Sequence, residues 1–406
     1  MTRRNKKAFS KISPLFFIFI TVLINRFGLT ILIPVMPFLV DQFRSDALTL
    51  GLLTASFSIA QFIATPATGV ISDRFGRRPV MLICVLGTAL SLLMFGWAGA
   101  LWVLFLSRIL DGLTGGTDST ALAYIADTSA PEDRGKNFGL TGAAFGLGFI
   151  LGPALGGILA NVYLTLPVFF AAGLAFFNLA LGYFTLPESL KKENRESFEL
   201  GDLNPFYQIL KLVKNHRIQG LVWGNFIFNL AFIGFTSTFV LFLFRKFNWT
   251  PLESGVIFVF LGVTSTFIQG FLIRKILPRW GEATVTVSGL ICVSLSMLMI
   301  ALIQPNSSLV YPLLYTSMAF LSIGMGFFTP AIRGLISNQV SDKEQGKTIG
   351  GNQGLKSLAT ILGPILAGLS FDYIGTWAPF GIGSALILVA LGCIMLNLRT
   401  LETVHS

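Results

Sequence analysis

An ionisable side chain inside a long apolar stretch is costly unless it is paired or wet, so each one present is a candidate for chemistry. Two acids, Asp111 and Asp118, lie deep in such stretches, with Arg26, Arg108, Arg333 and Lys356 as the corresponding bases. Arg108, Asp111, Gly115 and Asp118 recur at i, i+3, i+7 and i+10, which is one face of a continuous helix. The chemistry this permits is reversible proton binding. Desolvation raises the pKa of a carboxylate and a neighbouring guanidinium lowers it, so changing the neighbour toggles the proton. At about 1.5 Å per residue from the cytoplasmic ends of their runs, Arg26 lies about 18 Å deep, Asp118 about 14 Å and Asp111 about 24 Å. Arg26 therefore reaches either carboxylate if the two runs adjoin. The expected proton site is Asp118, with Arg26 as its modulator. The alternatives are a permanent structural Arg26–Asp118 bridge, a titrating Asp111 held by Arg108 one turn away, and a cluster that titrates as one unit.

Uncharged polar residues form further stripes. Asn225, Asn229, Phe232 and Thr236 are spaced i, i+4, i+7 and i+11, and Ser322, Gly326, Thr329 and Arg333 follow a similar pattern. With Asn25 and Lys356 these are candidate substrate contacts; the competing reading is polar glue between helices. Arg333 is close enough to a run's end to snorkel into water. Most of the 39 phenylalanines are expected to face lipid.

The elements that must position these residues are twelve apolar runs, near 14–40, 48–71, 79–98, 101–126, 137–160, 163–186, 218–244, 252–273, 283–303, 310–337, 347–371 and 377–398. They are as long as a bilayer crossing requires and lack period-two alternation, so they are read as helices of a polytopic all-α membrane protein. Composition agrees: 53% of residues are hydrophobic and 12% charged, and the mean hydropathy is +0.74. Disordered chains, disulfide-stapled modules and soluble enzymes are excluded. The 29 Lys and Arg against 19 Asp and Glu give a net charge of +10. In a soluble protein that excess points to nucleic acid. Here most of it falls in alternate loops, on the side of the N-terminus, as the positive-inside rule requires of a cell-membrane protein with both termini cytoplasmic. No nucleic-acid partner is needed. The first run is too long for a signal-peptide core and should stay as a span. Cys84, Cys292 and Cys393 lie in runs without metal-ligand spacing, and His216 and His405 sit in a loop and at the tail. No metal, cofactor or catalytic residue is expected, and no nucleophile or phosphate loop marks an enzyme.

The chain also repeats itself. Residues 133–157 and 344–368 align at an offset of 211, with ten of 25 positions identical, including Gly152/Gly363, Pro153/Pro364 and Gly157/Gly368. This divides the chain into an N-terminal six-span half, 1–186, a polar cytoplasmic linker, 187–217, and a C-terminal six-span half, 218–406. Repeated halves are the architecture of secondary transporters.

Four motifs carry a resemblance. The string Gly69-Val-Ile-Ser-Asp73-Arg74-Phe75-Gly76-Arg77-Arg78 between runs 2 and 3 resembles the loop signature of the major facilitator superfamily. Gly69 is expected to permit close helix approach and Gly76 a tight turn. Arg108-Ile-Leu-Asp111-Gly112-Leu-Thr-Gly115 is similar to that family's Arg-x-x-x-Gly-x-x-Gly pattern. Gly148-Phe-Ile-Leu-Gly152-Pro153-Ala-Leu-Gly156-Gly157 resembles the signature of its antiporters. The run from Gly28 to Pro34 and Pro37 resembles its twelve-span drug/proton antiporters, including tetracycline-efflux-like proteins; Tyr124-Ile-Ala-Asp127 fits the same branch.

The resemblance implies two six-helix halves that rock about a midplane site lined by spans 1, 4, 7 and 10. It also implies a cytoplasmic latch formed by Asp73, Arg77 and Asp127. In the second half Gly270 keeps the glycine, but Arg274 stands where an acid would be, so only the first latch looks intact. The branch usually has an acid at Asn25, and Asp118 stands where a neutral residue is common. Either the acid has moved from span 1 to span 4, or coupling has been lost. Pro153 serves as a structural kink or a moving hinge. The function implied is a proton-coupled exporter of small amphipathic compounds, a monomer in the lipid bilayer. The alternative is a proton-coupled or facilitative transporter of an anionic metabolite, favoured by the excess of deep bases over acids.

Overall fold

A computed structural model describes residues 14–130, 132–190, 193, 212–213, 217–305 and 307–405. Most of the linker, and the basic residues before Pro14, lie outside the described residues. Helices make up almost all of what is described: α1 Pro14–Thr30, α2 Met36–Asp41, α3 Ala47–Phe75, α4 Arg77–Gly96, α5 Leu101–Leu113, α6 Thr117–Thr128, α7 Arg134–Ala160 and α8 Leu166–Thr185, then α9 Gln219–Phe247, α10 Pro251–Phe267, α11 Ile273–Leu302, α12 Val310–Ser337, α13 Asp342–Tyr373 and α14 Ala378–His405. Among the described residues nine helical stretches are long and apolar enough to cross a membrane. This defines an all-α polytopic membrane protein.

Three expected elements differ from the observed ones, each for a local reason. Run 14–40 is interrupted by turns at 31–35, where Pro34 and Pro37 remove backbone donors. Run 101–126 breaks between α5 and α6 at Thr114-Gly115-Gly116, and Gln61 Nε2 donates to the Gly115 carbonyl at the break, 3.2 Å away. Conversely, the expected loop between runs 8 and 9 is helical except for a break at Gly281. A five-residue π segment, Ile268–Leu272, joins α10 to α11, and α11 itself kinks at Gly281, where φ is 74°.

The chain groups into two compact units, Met1–Phe43 with Ser56–Asn204, and Arg44–Ala55 with Pro205–Ser406. In the first, α1 packs on α7 and α8, and α4 on α5 and α8. Its core includes Phe17, Ile18, Val22, Met81, Tyr124 and Ala144. The glycines of α7 allow the close contact with α1: a Cβ at Gly148 would lie 2.9 Å from Arg26 Cβ, and one at Gly156 would lie 2.5 Å from the Ile31 carbonyl. In the second unit α11 packs on α12 and α14, and α9 on α13 and α14. Here several phenylalanines are exceptions to the expected lipid-facing majority. Phe228, Phe235, Phe239, Phe242, Phe258, Phe328 and Phe380 are all buried, several of them stacked or edge-on as aromatic pairs prefer. The start of α3 belongs to this unit, where Asp372 Oδ1 and Oδ2 accept from the N–H groups of Ala47 and Leu48 at 2.9 and 2.8 Å. Asp46 caps the same end through Thr49. Burial pushes its carboxyl up, but the Thr49 hydrogen bonds and Arg44 outweigh that and hold it below its ordinary value.

Candidate functional site

In the first unit α1 presents Asn25 and Arg26 to α6. An Arg26 amino group pairs with Asp118 Oδ2, while Asn25 Nδ2 donates to Asp118 Oδ1 at 3.2 Å. Both charged side chains are partly open, 22% exposed for Arg26 and 23% for Asp118. The guanidinium carbon lies 3.4 Å from the Phe145 ring centre, and Nε is buried without a hydrogen-bond partner. The carboxylate is thus held by a cation and an amide, and the cation is incompletely satisfied. Thr30 Oγ1, 2.7 Å from the Gly148 carbonyl, helps to fix α1 on α7.

The second deep acid has a different environment. Arg108 and Asp111 pair within α5, with side chains only 4% and 5% exposed. Phe57 and Phe95 lie 5.2 and 5.4 Å from the Arg108 guanidinium carbon. The single helix face expected to carry both acids is not found: α5 ends at Leu113 and α6 starts at Thr117, so Asp111 and Asp118 belong to separate helices. Gly112 is required by packing, because a Cβ there would meet the backbone of Phe57 and Gln61 on α3. Gly152, Pro153, Gly156 and Gly157 are all buried within α7.

Asp73, Arg77 and Asp127, the residues expected to form a latch, lie together. Arg77 NH1 lies 2.5 Å from Asp73 Oδ1 and 2.6 Å from Ser72 Oγ, and its Nε lies 3.2 Å from Asp127 Oδ2. Gly76, at φ 109°, makes the turn that aims α4. Gly69 does not act as expected: no atom outside its own helix lies within 4 Å of the position its Cβ would take, so the space is open rather than closely packed. Two partners were missed in the sequence. Glu188 accepts from the N–H groups of Arg77 and Arg78 at 2.8 and 3.2 Å, capping α4, and Ser189 Oγ donates to Asp127 at 3.0 Å. Two residues in a polar linker carried no pattern that separated them from their neighbours.

In the second unit Asn225 and Asn229 sit one turn apart on α9. Asn225 Nδ2 donates to Asn352 Oδ1 on α13 at 3.1 Å, and Asn229 Nδ2 donates to the Asn225 carbonyl at 2.7 Å. Phe232 stacks with Phe228, their ring centres 6.0 Å apart. Thr329 is half-buried on α12, and Lys356 is exposed on α13, one turn after Asn352. Asn352 was missed. Its position in the repeated segment showed that α13 is special, but not that its amide meets α9. Glu282, which follows Gly281, accepts from Asn338 Nδ2 at 2.9 Å. Asn338 lies 211 residues after Asp127, the offset of the internal repeat, so a second-half counterpart was legible there although Arg274 obscured it.

Glycine-packed helices, ion pairs and half-buried polar clusters characterise the two units, and it is the family the chain belongs to that makes it a membrane transporter rather than an enzyme. The sequence profile of the Major Facilitator Superfamily matches residues 18–314 and 279–405, and the chain belongs to that family. It is 33% identical over 377 residues to the class C tetracycline resistance protein of Escherichia coli, covering 91% of this chain and 93% of that protein. It is 31% identical to multidrug resistance protein 2 of Bacillus subtilis, covering 93% and 94%. The human organic anion transporter MFSD10 has a similar structure, with a TM-score of 0.69, 25% identity and coverage of 97% and 100%. The nucleoside transporter NupG shares the fold with a TM-score of 0.78 at 16% identity, covering 96% and 100%.

Proposed function

We propose that this secondary transporter is a proton-coupled exporter of small amphipathic compounds, tetracycline-like drugs among them. In this reading it works by alternating access, as a monomer, with twelve spans in two six-span halves (1–186 and 218–406) joined by 187–217. Both termini are cytoplasmic, and the setting is a cell membrane of the bacterial inner-membrane type. The twelve-span reading takes α1 with α2 as one crossing and α5 with α6 as another, and divides the long stretch 251–302 at Gly281.

The observation that carries the proposal is the Arg26–Asp118–Asn25 cluster. A carboxylate held by one cation and one amide, and still partly open, changes proton affinity when the cation turns away. Arg108–Asp111 is instead sealed and serves structure. The proton exchanges at Asp118, Arg26 competes with it, and Asn25 orients the carboxylate. Asn225, Asn229, Phe232, Thr329 and Lys356 are proposed as substrate contacts of the second unit. Similarity to drug-resistance proteins supports the amphipathic substrate class.

The test is transport in vesicles containing the purified protein. An imposed proton gradient should drive accumulation of tetracycline, and Asp118→Asn should abolish that drive. Absence of any gradient-driven accumulation across a panel of amphipathic drugs rejects proton antiport. A second reading, transport of an organic anion, is favoured by the cations Arg26 and Lys356 and by similarity to the human organic anion transporter. It predicts tight binding of organic anions that is lost in Arg26→Ala.

A further inference from the structure

An arginine in an apolar helix brings a fork of N–H donors, and each buried one needs a partner. Arg26 meets only part of that need. One amino group pairs with Asp118, while Nε is buried without a hydrogen-bond partner. A further contact comes from α7. The guanidinium carbon lies 3.4 Å from the centre of the Phe145 ring, which is direct contact with the ring face. Three residues later, a Cβ at Gly148 would lie 2.9 Å from Arg26 Cβ, so the missing side chain admits the Arg26 stem. Positions three apart on a helix share a face, so one face of α7 receives both the stem and the head of Arg26. Thr30 Oγ1, bound to the Gly148 carbonyl, holds the two helices in that register. The other deep arginine is held differently. Its guanidinium carbon is 5.2 and 5.4 Å from the Phe57 and Phe95 rings, and its ion pair is sealed.

An aromatic face attracts a guanidinium electrostatically, and more strongly where water is partly excluded, as around an Arg26 side chain 22% exposed. An aliphatic side chain offers no such attraction. The ring contact and the Asp118 pair coexist, so the ring stabilises the paired state. We propose that Phe145 is a positioning residue for proton exchange: it holds the Arg26 guanidinium against Asp118 and so sets how strongly Arg26 competes with the proton. The inference rests on the reading of Asp118 as the proton site. Phe145 has no group that binds a proton and acts through Arg26. Other charges near α6 are engaged or distant. The helices packed on α6 include α1, α4 and α7. On α4, Arg77 meets Asp127 at the far end of α6, and Arg78 donates to the Tyr183 carbonyl. On α7, Arg134 and Lys136 lie in the first turn, more than two turns before Phe145. On α5, Arg108 and Asp111 pair with each other.

The test is a pH titration of the purified full-length protein by infrared difference spectroscopy, reading the protonated-carboxyl band that disappears in Asp118→Asn. Phe145→Leu removes the ring face and keeps an apolar side chain, and the ring is 43% exposed, so the fold should survive. With Arg26 competing less well, the midpoint of proton binding should rise by about 0.5–1 pH unit, or about three- to tenfold in proton affinity. Phe145→Tyr, which keeps the ring, should retain the wild-type midpoint. In an Arg26→Ala background Phe145→Leu should no longer move the midpoint, an outcome that a merely structural role does not produce. Phe145→Met gives the same reading if Phe145→Leu fails to fold. An Asp118-dependent band that titrates normally in the wild type, with an unmoved midpoint in the folded Phe145 variant, overturns this inference alone. An equal rise in Phe145→Tyr, or a shift that persists without Arg26, overturns it as well. Absence of any Asp118-dependent band in the wild type rejects the proton site itself, and this inference with it.

Discussion

Two turns, one in each unit, solve the same problem with opposite chemistry. In the first, Gly76 at φ 109° is followed by Arg77, whose guanidinium meets Asp73, Ser72 and Asp127. In the second, Gly281 at φ 74° is followed by Glu282, which takes one hydrogen bond from Asn338. Asp127 and Asn338 stand at the repeat offset, so an ion pair in one half corresponds to a carboxylate–amide contact in the other. The backbone device is kept and the charges are not. A nearly buried guanidinium with two carboxylates is strong when assembled and costly when one member is removed, because the remaining charges lose their partner. A single hydrogen bond to an exposed amide is worth far less. The first turn is therefore expected to be held firmly by its charges, and the second only weakly.

Four changes break or sharpen this contrast. The largest effect is expected for Arg77→Ala, which leaves Asp73 and Asp127 facing each other; it should cost about 3–5 kcal/mol of stability and abolish transport, read by thermal unfolding and uptake. If Arg77→Ala proved no worse than a change at Glu282, the asymmetry would be wrong. Next, Glu188→Gln removes the negative charge that caps α4 and should cost about 1 kcal/mol while only partly impairing transport. Asn338→Ala should cost about 1 kcal/mol or less, and transport should persist. Smallest is the paired exchange Glu282→Arg with Asn338→Asp, which recreates an ion pair in the second unit. A double-mutant cycle should give a favourable coupling of about 0.5–1 kcal/mol, since one partner is exposed. Zero coupling would mean that the two turns are not equivalent in geometry.

How far the sequence reached follows from the range of each interaction. The apolar runs and the repeat were legible in hydropathy and spacing, whereas the meeting of Asp73, Arg77 and Asp127 was reached only through the family resemblance, since Asp127 lies 50 residues from Arg77. The Arg26–Asp118 pair was reached by counting rise along two helices, which works when both carry rare charges. The break between Asp111 and Asp118 was not anticipated: Gly115 was placed on the face of one continuous helix, and the role of Gln61 in holding the freed carbonyl is a tertiary fact. Asn352, Glu188 and Phe145 were invisible because neutral amides, linker acids and phenylalanines are common in such a chain. Burial of the second unit's phenylalanines escaped for a related reason, since hydropathy does not separate a lipid-facing ring from a core ring. The close approach expected at Gly69 was an over-reading of a glycine whose surroundings are open.

The central claim is that Asp118 carries the exchangeable proton while Asp111 is sealed by Arg108. Proton release or uptake by the purified protein on adding a transported drug, followed in weakly buffered detergent solution, tests it most directly. The account predicts a substrate-linked proton signal in the wild type that is lost in Asp118→Asn although drug still binds. An undiminished signal in Asp118→Asn would contradict it.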